Sequence, residues 1–460
     1  MKYTVTFTDI KYNELVQHLF TDTSVEHGAY ALCKLSISDE ETRLLVREII
    51  PVVDEDIEEA TAVSMKIRSR SFLRAMKAAD ETKQVFLFIH SHPKNFLKHS
   101  GQDDSEEKKL FKTAYVRIGT KGVHGSIVLS SPELPIGRMW LKDGSICPIS
   151  MIRVIGNRFK FYTDLSSVDS LPVFFDRQIR AFGEDIQRLF RTLHIGVVGS
   201  GGTGSSVIEQ LIRLGVGKLS LSDGQTFEKS NVNRVYGSRV SDQDIEKVML
   251  LQRLADEIGL GTQIVPINKP VTYQSVAKKL KECDIIFGCT DDQWGRSILT
   301  RLAVYFQIPV FDMGVKIDSK EGVIKSVQGR VTTLLANNAC LFCRDRIDSK
   351  IVGSESLEAL DPKQIQELRK EGYAPEIEET APSVIPFTTN IASVAISELI
   401  HRLTGFMGSD RISNEVIVRF DETDIRRNRR ESKTDCFCGD QYNTLRGDTN
   451  PFLDSVWRPE

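Results

Sequence analysis

Apolar and polar positions follow two different rhythms along the chain. In the first third, short apolar runs at 29–37, 44–53, 85–89 and 126–129 read as strands, and 58–77 carries the one helical spacing. Together they predict an α/β domain over 1–155. From about 155 to 173 the pattern becomes polar and irregular, with Ser166, Ser167, Asp169, Ser170 and Pro172, so 156–174 reads as a linker. Strands and helices then alternate. After a buried-strand run at 193–198 comes a helix with Val207, Ile208, Leu211, Ile212 and Leu214 on one face. Gly215 and Gly217 close that helix, and 218–222 forms the next strand. Further strands are expected at 263–267, 284–288 and 309–312. This alternation predicts a Rossmann-like, doubly wound sheet in a second domain, 175–440. A charged insertion at 345–382 precedes an apolar helix at 390–403, and a connection so long is usually functional or mobile. Residues 441–460 read as a C-terminal tail.

Composition removes some classes of function. The chain has 460 residues, 40% hydrophobic and 27% charged, with a net charge of -3. That is enough for two or three domains with real cores, and there is no basic excess to draw nucleic acid or anionic lipid. Apolar runs such as 85–89 are too short to span a bilayer, and the N-terminus reaches Asp9 without an apolar signal core. A soluble, cytoplasmic protein with no nucleic-acid or membrane partner is therefore expected. Of eight cysteines, Cys33, Cys147, Cys283 and Cys289 lie scattered in apolar surroundings and read as core thiols. The other four form two tight pairs, Cys340/Cys343 and Cys436/Cys438.

The second domain carries phosphate chemistry. Gly199-Ser200-Gly201-Gly202-Thr203-Gly204 follows a strand and opens a helix, so its glycines permit a tight turn and let backbone approach phosphate. Asp223 ends the next strand, where a carboxylate can hold a ribose hydroxyl. Nicotinamide and flavin enzymes share both features. Asn231-Val232-Asn233-Arg234, Lys247 and Cys289-Thr290-Asp291-Asp292 separate the alternatives. Hydride transfer has little use for an Arg, a Lys and an Asp gathered at the strand ends. A triphosphate does: cations neutralise its charge, and a carboxylate holds magnesium.

In these motifs residues 175–438 resemble the ThiF/MoeB group of adenylyltransferases and the adenylation domain of ubiquitin-activating enzymes. The resemblance implies that Gly199, Gly201, Gly202 and Gly204 cradle ATP. It implies that Asp223 holds the ribose, that Asn231, Arg234 and Lys247 contact phosphates, and that Asp291 binds Mg2+. Arg177, in Asp176-Arg177-Gln178-Ile179, resembles the family's arginine that reaches the partner subunit's ATP, which implies a homodimer; a surface arginine capping a helix is the plainer reading. Cys340, Cys343, Cys436 and Cys438 match the family's structural zinc site, and four thiolates can close a tetrahedron. The family usually spaces the second pair by two residues, whereas here one intervenes. Members that form thioesters carry a cysteine in the crossover loop. No cysteine lies between Cys343 and Cys436 here, and Glu378 falls near that position. The resemblance then implies direct transfer to an acceptor, a thiol on a separate conjugating enzyme, or an oxyester on Thr380 or Ser383.

The first domain carries different chemistry. His90-Ser91-His92-Pro93 follows an apolar strand, and seven residues separate His92 from Ser100, with Asp103 beyond. Two imidazoles one residue apart on extended chain face the same way, and a carboxylate makes a third ligand with a fourth position open for water, as a catalytic zinc requires. The spacing resembles the JAMM (JAB/MPN) metalloprotease motif. That implies Zn2+ ligands His90, His92 and Asp103, with Ser100 stabilising the oxyanion. It also implies a glutamate that moves a proton from the attacking water to the leaving amine, and Glu26 resembles it; a surface glutamate at a helix end is the alternative. His99 and Asp104 flank the site and are not expected to ligate.

The two resemblances together imply a JAMM-type α/β metallohydrolase joined to an adenylation domain. The function they imply is that of a prokaryotic ubiquitin-like modification enzyme. It would adenylate the C-terminal glycine of a ubiquitin-like protein and cleave modifier (iso)peptide bonds. Bacterial systems with this pairing are often associated with antiphage defence. The alternative is activation and processing of a sulfur-carrier protein in thiamin, molybdopterin or cysteine synthesis. A binding scaffold with dead sites is the third reading, disfavoured by the intact constellation.

Overall fold

The computed structural model describes residues 1–460 apart from 94–95, 120–121, 169, 373–374, 376–381 and 409–413. The chain divides into two compact units, Met1–Asp164 with Leu445–Thr449, and Leu165–Thr444 with Asn450–Glu460.

The first unit runs β1 (Lys2–Thr8), α1 (Asp9–Leu19), β2 (Gly28–Ile37), β3 (Glu41–Pro51), β4 (Ile57–Ala60), β5 (Met65–Ile67) and α2 (Ser69–Glu81). It continues through β6 (Val85–Ser91), α3 (Gly101–Arg117), β7 (His124–Leu129), β8 (Pro135–Trp140), β9 (Ile146–Ile155) and β10 (Phe159–Thr163). Eight strands pair in the order β1-β3-β2-β6-β7-β8-β9-β10, and β9 pairs again with β1, so the sheet closes on itself. Two cores flank it. Val5, Leu15, Leu44, Leu87 and Ile127 pack in the core that includes α1, while Leu32, Ala75, Phe86, Phe111 and Trp140 pack in the core that includes α2 and α3. The expected strands are all present. The helix expected at 58–77 is not: its first half is the β4–β5 hairpin, and the helix begins at Ser69. Thr61 Oγ1 accepts from Ser64 N (3.1 Å), and that local turn competes with helix. The stretch expected to be irregular from 155 also contains β10.

The second unit opens with α4 (Asp176–Phe182) and α5 (Glu184–Thr192). It then alternates β11 (His194–Val198), α6 (Gly202–Leu214), β12 (Lys218–Ser222), α7 (Lys247–Ile258), β13 (Gln263–Ile267), α8 (Gln274–Leu280), β14 (Ile285–Gly288), α9 (Gln293–Phe306) and β15 (Val310–Lys320). After β16 (Val323–Leu334) come α10 (Ser349–Leu360), α11 (Pro362–Lys370), α12 (Ile385–Thr404), β17 (Glu415–Arg419) and β18 (Asp424–Asn428). The sheet order is β13-β12-β11-β14-β15-β16-β17-β18, parallel from β13 to β15 and antiparallel beyond. Strand order reverses between β11 and β14. A crevice at the carboxyl ends of such a pair is where doubly wound sheets bind ligands. The insertion at 345–382 contains helices α10 and α11. Of the stretch delimited above as a tail, Asp448 accepts from Ile37 N (2.7 Å) and donates to Leu35 O (2.9 Å). Beyond it, Phe452 and Leu453 are buried in the second unit.

Candidate active sites

The phosphate-loop glycines sit at the reversal point. Gly199 has φ +93°, and a Cβ there would meet the Cys289 carbonyl at 2.7 Å. At Gly204 a Cβ would lie 1.9 Å from Gly199 O, so the start of α6 rests directly on the end of β11. Gly201 faces open space. The N-terminus of α6 thus presents unpaired N–H groups and the positive end of its dipole, as an anion site requires.

The candidate residues gather round this loop. Asp223 accepts from Ser200 N (2.6 Å) and Gln225 N (2.8 Å), which fixes its carboxylate beside the glycine turn. Arg234 packs its stem against Gly202, where a Cβ would be 3.3 Å away, and donates to Ser230 O (2.6 Å). Asn231 is buried in the turn before it. Lys247 is the first residue of α7, 7% exposed, and donates to Gln225 Oε1 (2.6 Å). Cys289 N donates to Val198 O (2.7 Å), which brings Asp291 to the same end of the sheet as the loop; Asp291 itself is exposed. Two cations and two carboxylates therefore surround an anion cradle. Asp292 caps α9 by accepting from Gly295 N.

Two side chains here escaped sequence reasoning. Gln225 holds Lys247, and its signal was its position two residues beyond Asp223. Glu355, on α10, accepts from Trp294 N (2.6 Å) at the start of α9. Burial raises its carboxyl pKa, and Asp292 and Asp291 add to the rise. Arg177 is exposed on α4, and its neighbour Gln178 donates to Arg213 O (2.7 Å), near the far end of α6. With thirteen residues, α6 is about 20 Å long, so Arg177 lies well away from its own phosphate loop. Of the crossover-loop candidates, Glu378 and Thr380 fall outside the described residues, and Ser383 is half-buried.

Cys340, Cys343, Cys436 and Cys438 come together despite the one-residue spacing of the second pair. Their sulfurs are 3.8 Å apart for Cys340–Cys343, 3.5 Å for Cys340–Cys436, 3.5 Å for Cys343–Cys438 and 3.6 Å for Cys436–Cys438. Four thiolates about 2.3 Å from a zinc at the centre of a tetrahedron are roughly 3.8 Å apart. The donor set and edge lengths fit that metal. Beside it opens a cleft of about 760 Å³, lined among others by Phe342, Arg346, Phe437 and Gln293.

In the first unit His90 is the penultimate residue of β6, and His92 lies just beyond the strand's end. Their Nε2 atoms are 3.0 Å apart, with His90 3.3 Å and His92 3.6 Å from the Asp103 oxygens. The Phe96 carbonyl accepts from His92 Nδ1 (3.0 Å), which turns the Nε2 edge of the ring toward His90 and Asp103. Asp103 is set by a capping box: its carboxylate accepts from Ser100 N (2.5 Å), and its own N–H donates to Ser100 Oγ (3.1 Å). Among the described residues the Ser100 hydroxyl accepts from Asp103 N and donates to no acceptor. Glu26, 6% exposed, lies 3.9 Å from His92 Nε2. Burial raises its carboxyl pKa against the pull of His90 and His92. Two imidazole nitrogens and a carboxylate converging in this way fit a three-ligand zinc site. His99 pairs with Ser126 Oγ (3.2 Å) and Asp104 with Arg138, so neither belongs to the converging set.

The first unit is thus a JAB-type α/β domain with a metal-ligand cluster, and the second is a Rossmann-like nucleotide fold. The chain belongs to the ThiF family, which it matches over residues 175–439. Residues 11–129 match the family of prokaryotic homologs of the JAB domain. Among curated relatives, the adenylyltransferase and sulfurtransferase uba4 of Aspergillus clavatus is 31% identical over 124 residues, 27% of this chain and 25% of its own. The molybdopterin-synthase adenylyltransferase of Escherichia coli is 26% identical over 177 residues, 38% of this chain and 68% of that protein. The SAMP-activating enzyme E1 of Haloferax volcanii is 24% identical over 161 residues, 35% and 56% of the two chains. The chain therefore spans about a quarter of the first of these relatives. Among solved structures, E. coli MccB with MccA-N7isoASN is 15% identical at a TM-score of 0.46, covering 59% of this chain and 76% of that one. Among the described residues no helix is long and apolar enough to cross a membrane.

Proposed function

We propose that this protein adenylates the C-terminal glycine of a small ubiquitin-like protein with ATP and Mg2+, and that its first unit hydrolyses (iso)peptide bonds to that modifier. The observation that carries the first activity is the gathering of Arg234, Lys247, Asp223 and Asp291 round the glycine loop. In this reading the modifier carboxylate attacks the α-phosphorus of ATP, a P–O bond forms, and pyrophosphate leaves. Arg234, Lys247 and Asn231 would neutralise and align the phosphates, Asp223 would hold the ribose, and Asp291 would hold Mg2+, which supplies charge neutralisation when bound. Arg177 sits on α4 next to Gln178, which bonds the far end of α6 from the phosphate loop, and this placement supports its acting in a homodimer on the partner's ATP. With no cysteine in the crossover loop, the adenylate passes directly to an acceptor or to a thiol on a separate conjugating enzyme.

In the first unit a zinc ion held by His90, His92 and Asp103 would supply Lewis acidity and an activated water. Glu26, with its raised pKa, takes the proton of the attacking water and returns it to the leaving amine. The Ser100 hydroxyl donates to the oxygen that gains charge. One half makes the modifier's bond and the other breaks it, as a precursor protease, a deconjugating enzyme or both. A defence role in a bacterium rests on the resemblance of this domain pairing alone.

The test is ATP–pyrophosphate exchange with small diglycine-ended proteins encoded near its gene. Exchange with one of them supports the reading; magnesium–ATP binding without exchange for any of them refutes it. Lysine adducts of that modifier, followed by mass spectrometry, should build up with Glu26→Ala; if they do not, precursor processing replaces deconjugation. A sulfur-carrier substrate is the second reading, favoured by relatives named as a sulfurtransferase and a molybdopterin-synthase adenylyltransferase. It predicts a thiocarboxylate on the carrier and no lysine adduct.

A further inference from the structure

Glu107 lies four residues after Asp103 on α3, hence one turn along the same face. It is 2% exposed, and its Oε2 accepts three hydrogen bonds from outside the helix. They come from Ser126 Oγ (2.7 Å), Arg138 Nε (2.9 Å) and Trp140 Nε1 (2.8 Å). Ser126 and Arg138 stand opposite each other on paired strands β7 and β8. Arg138 also reaches Asp104, so one guanidinium grips two turns of the helix. None of these groups is in the His90–His92–Asp103 cluster.

We propose that Glu107 is a positioning residue for the metal site: anchored by Arg138, Ser126 and Trp140, it sets the axial rotation of α3 and so places the Asp103 carboxylate. A side-chain tip lies about 5–6 Å from a helix axis, so a rotation of about 10° moves it about 1 Å. Metal–ligand distances tolerate only about 0.2 Å. Asp103 has the Ser100 cap to hold its own carboxylate, but that cap turns with the helix and cannot fix the rotation. A buried carboxylate bonded to two neighbouring strands can. The inference rests on the first unit being a zinc site.

The full chain is tested as Glu107→Gln, which keeps the shape but loses the charge, and as Ser126→Ala with Trp140→Phe, which keeps the Glu107–Arg138 ion pair. Zinc affinity is measured by competition with a chromophoric chelator, and site geometry by the d–d bands of the cobalt(II) form. His92→Ala serves as the reference lacking this site, and the thiolate–cobalt band reports the cysteine cluster separately. Both variants are expected to bind zinc about 10- to 100-fold more weakly at this site, with shifted cobalt bands and an unchanged thiolate band. A purely structural Glu107 would lower the melting temperature and leave the affinity and spectrum of the folded protein alone; that result overturns the inference. If the wild type binds no more metal than His92→Ala, the zinc reading itself fails and takes the inference with it.

Discussion

Gly204→Ala probes the nucleotide half most directly. The added methyl carbon would lie 1.9 Å from the Gly199 carbonyl oxygen and 2.8 Å from its carbonyl carbon. Both are backbone atoms, so no side chain can swing away. Relief to an ordinary contact requires the start of α6 and the end of β11 to part by more than about 1 Å, an overpacking strain of about 1–3 kcal/mol. For a domain of this size each kcal/mol lowers the melting temperature by about 2–4 °C. A misplacement of about 1 Å at a reacting centre can cost about 100-fold in rate. ATP–pyrophosphate exchange and thermal unfolding should therefore both fall. Gly201→Ala is the contrast: its methyl enters open space, so the melting temperature stays while exchange falls if phosphate occupies that space. Gly204→Ala with exchange within about threefold of wild type and an unchanged melting temperature would refute the close approach of helix and strand.

Three other outcomes follow from the geometry. Cys438→Ser should release one equivalent of zinc and lose several kcal/mol of stability in the second unit, as structural zinc sites contribute folding energy; metal analysis with thermal unfolding checks it, and chelator should mimic it. Burial opposes the charge on Glu41, but Arg153 and Arg43 outweigh it and bring its carboxyl down to about 2, from 4.5. Its folded pKa is the lower one, so it contributes about 3 kcal/mol above pH 4.5 that is lost as pH falls toward 2; Glu41→Gln should flatten the stability profile of the first unit over that window. Gly353 is exposed inside α10 with nothing within 4 Å of a Cβ, so Gly353→Ala should raise stability by about 0.5–1 kcal/mol in denaturant unfolding without altering exchange.

What the sequence made legible was local. The glycine loop, the 3.6-residue stripe of α6 and the two histidines at the end of β6 each lie within a few residues, and the structure brings each motif's partners together. What escaped depends on contacts across the fold. Helix α3 buries only Glu107, Phe111 and Ala114 among seventeen residues, so it offers little apolar stripe to read, although the Asp103 on it was found by spacing. The β4–β5 hairpin reads as helix in the sequence because its residues have helix-compatible composition and the turn that separates its strands, Thr61–Ser64, holds Ala62 and Val63 rather than glycine or proline. Helices α10 and α11 bury only Ser354 and Ile365, so neither presents a broad apolar face within the insertion. Gln225, Glu355 and Glu107 owe their roles to partners on other elements, which no single-sequence pattern identifies.

The four sulfurs join chain positions 96 and 95 residues apart, and between them run α10, α11, α12, β17 and β18. By analogy with a cross-link, closing a loop of that length removes roughly 4.7 kcal/mol of chain entropy from the unfolded state. With zinc seated, the insertion and the last strands of the nucleotide sheet depend on thiolates that oxidants and electrophiles attack. Loss of that one ion would then loosen the crossover insertion and the last strands of the sheet together, so its occupancy would set the order of the whole stretch between Cys343 and Cys436.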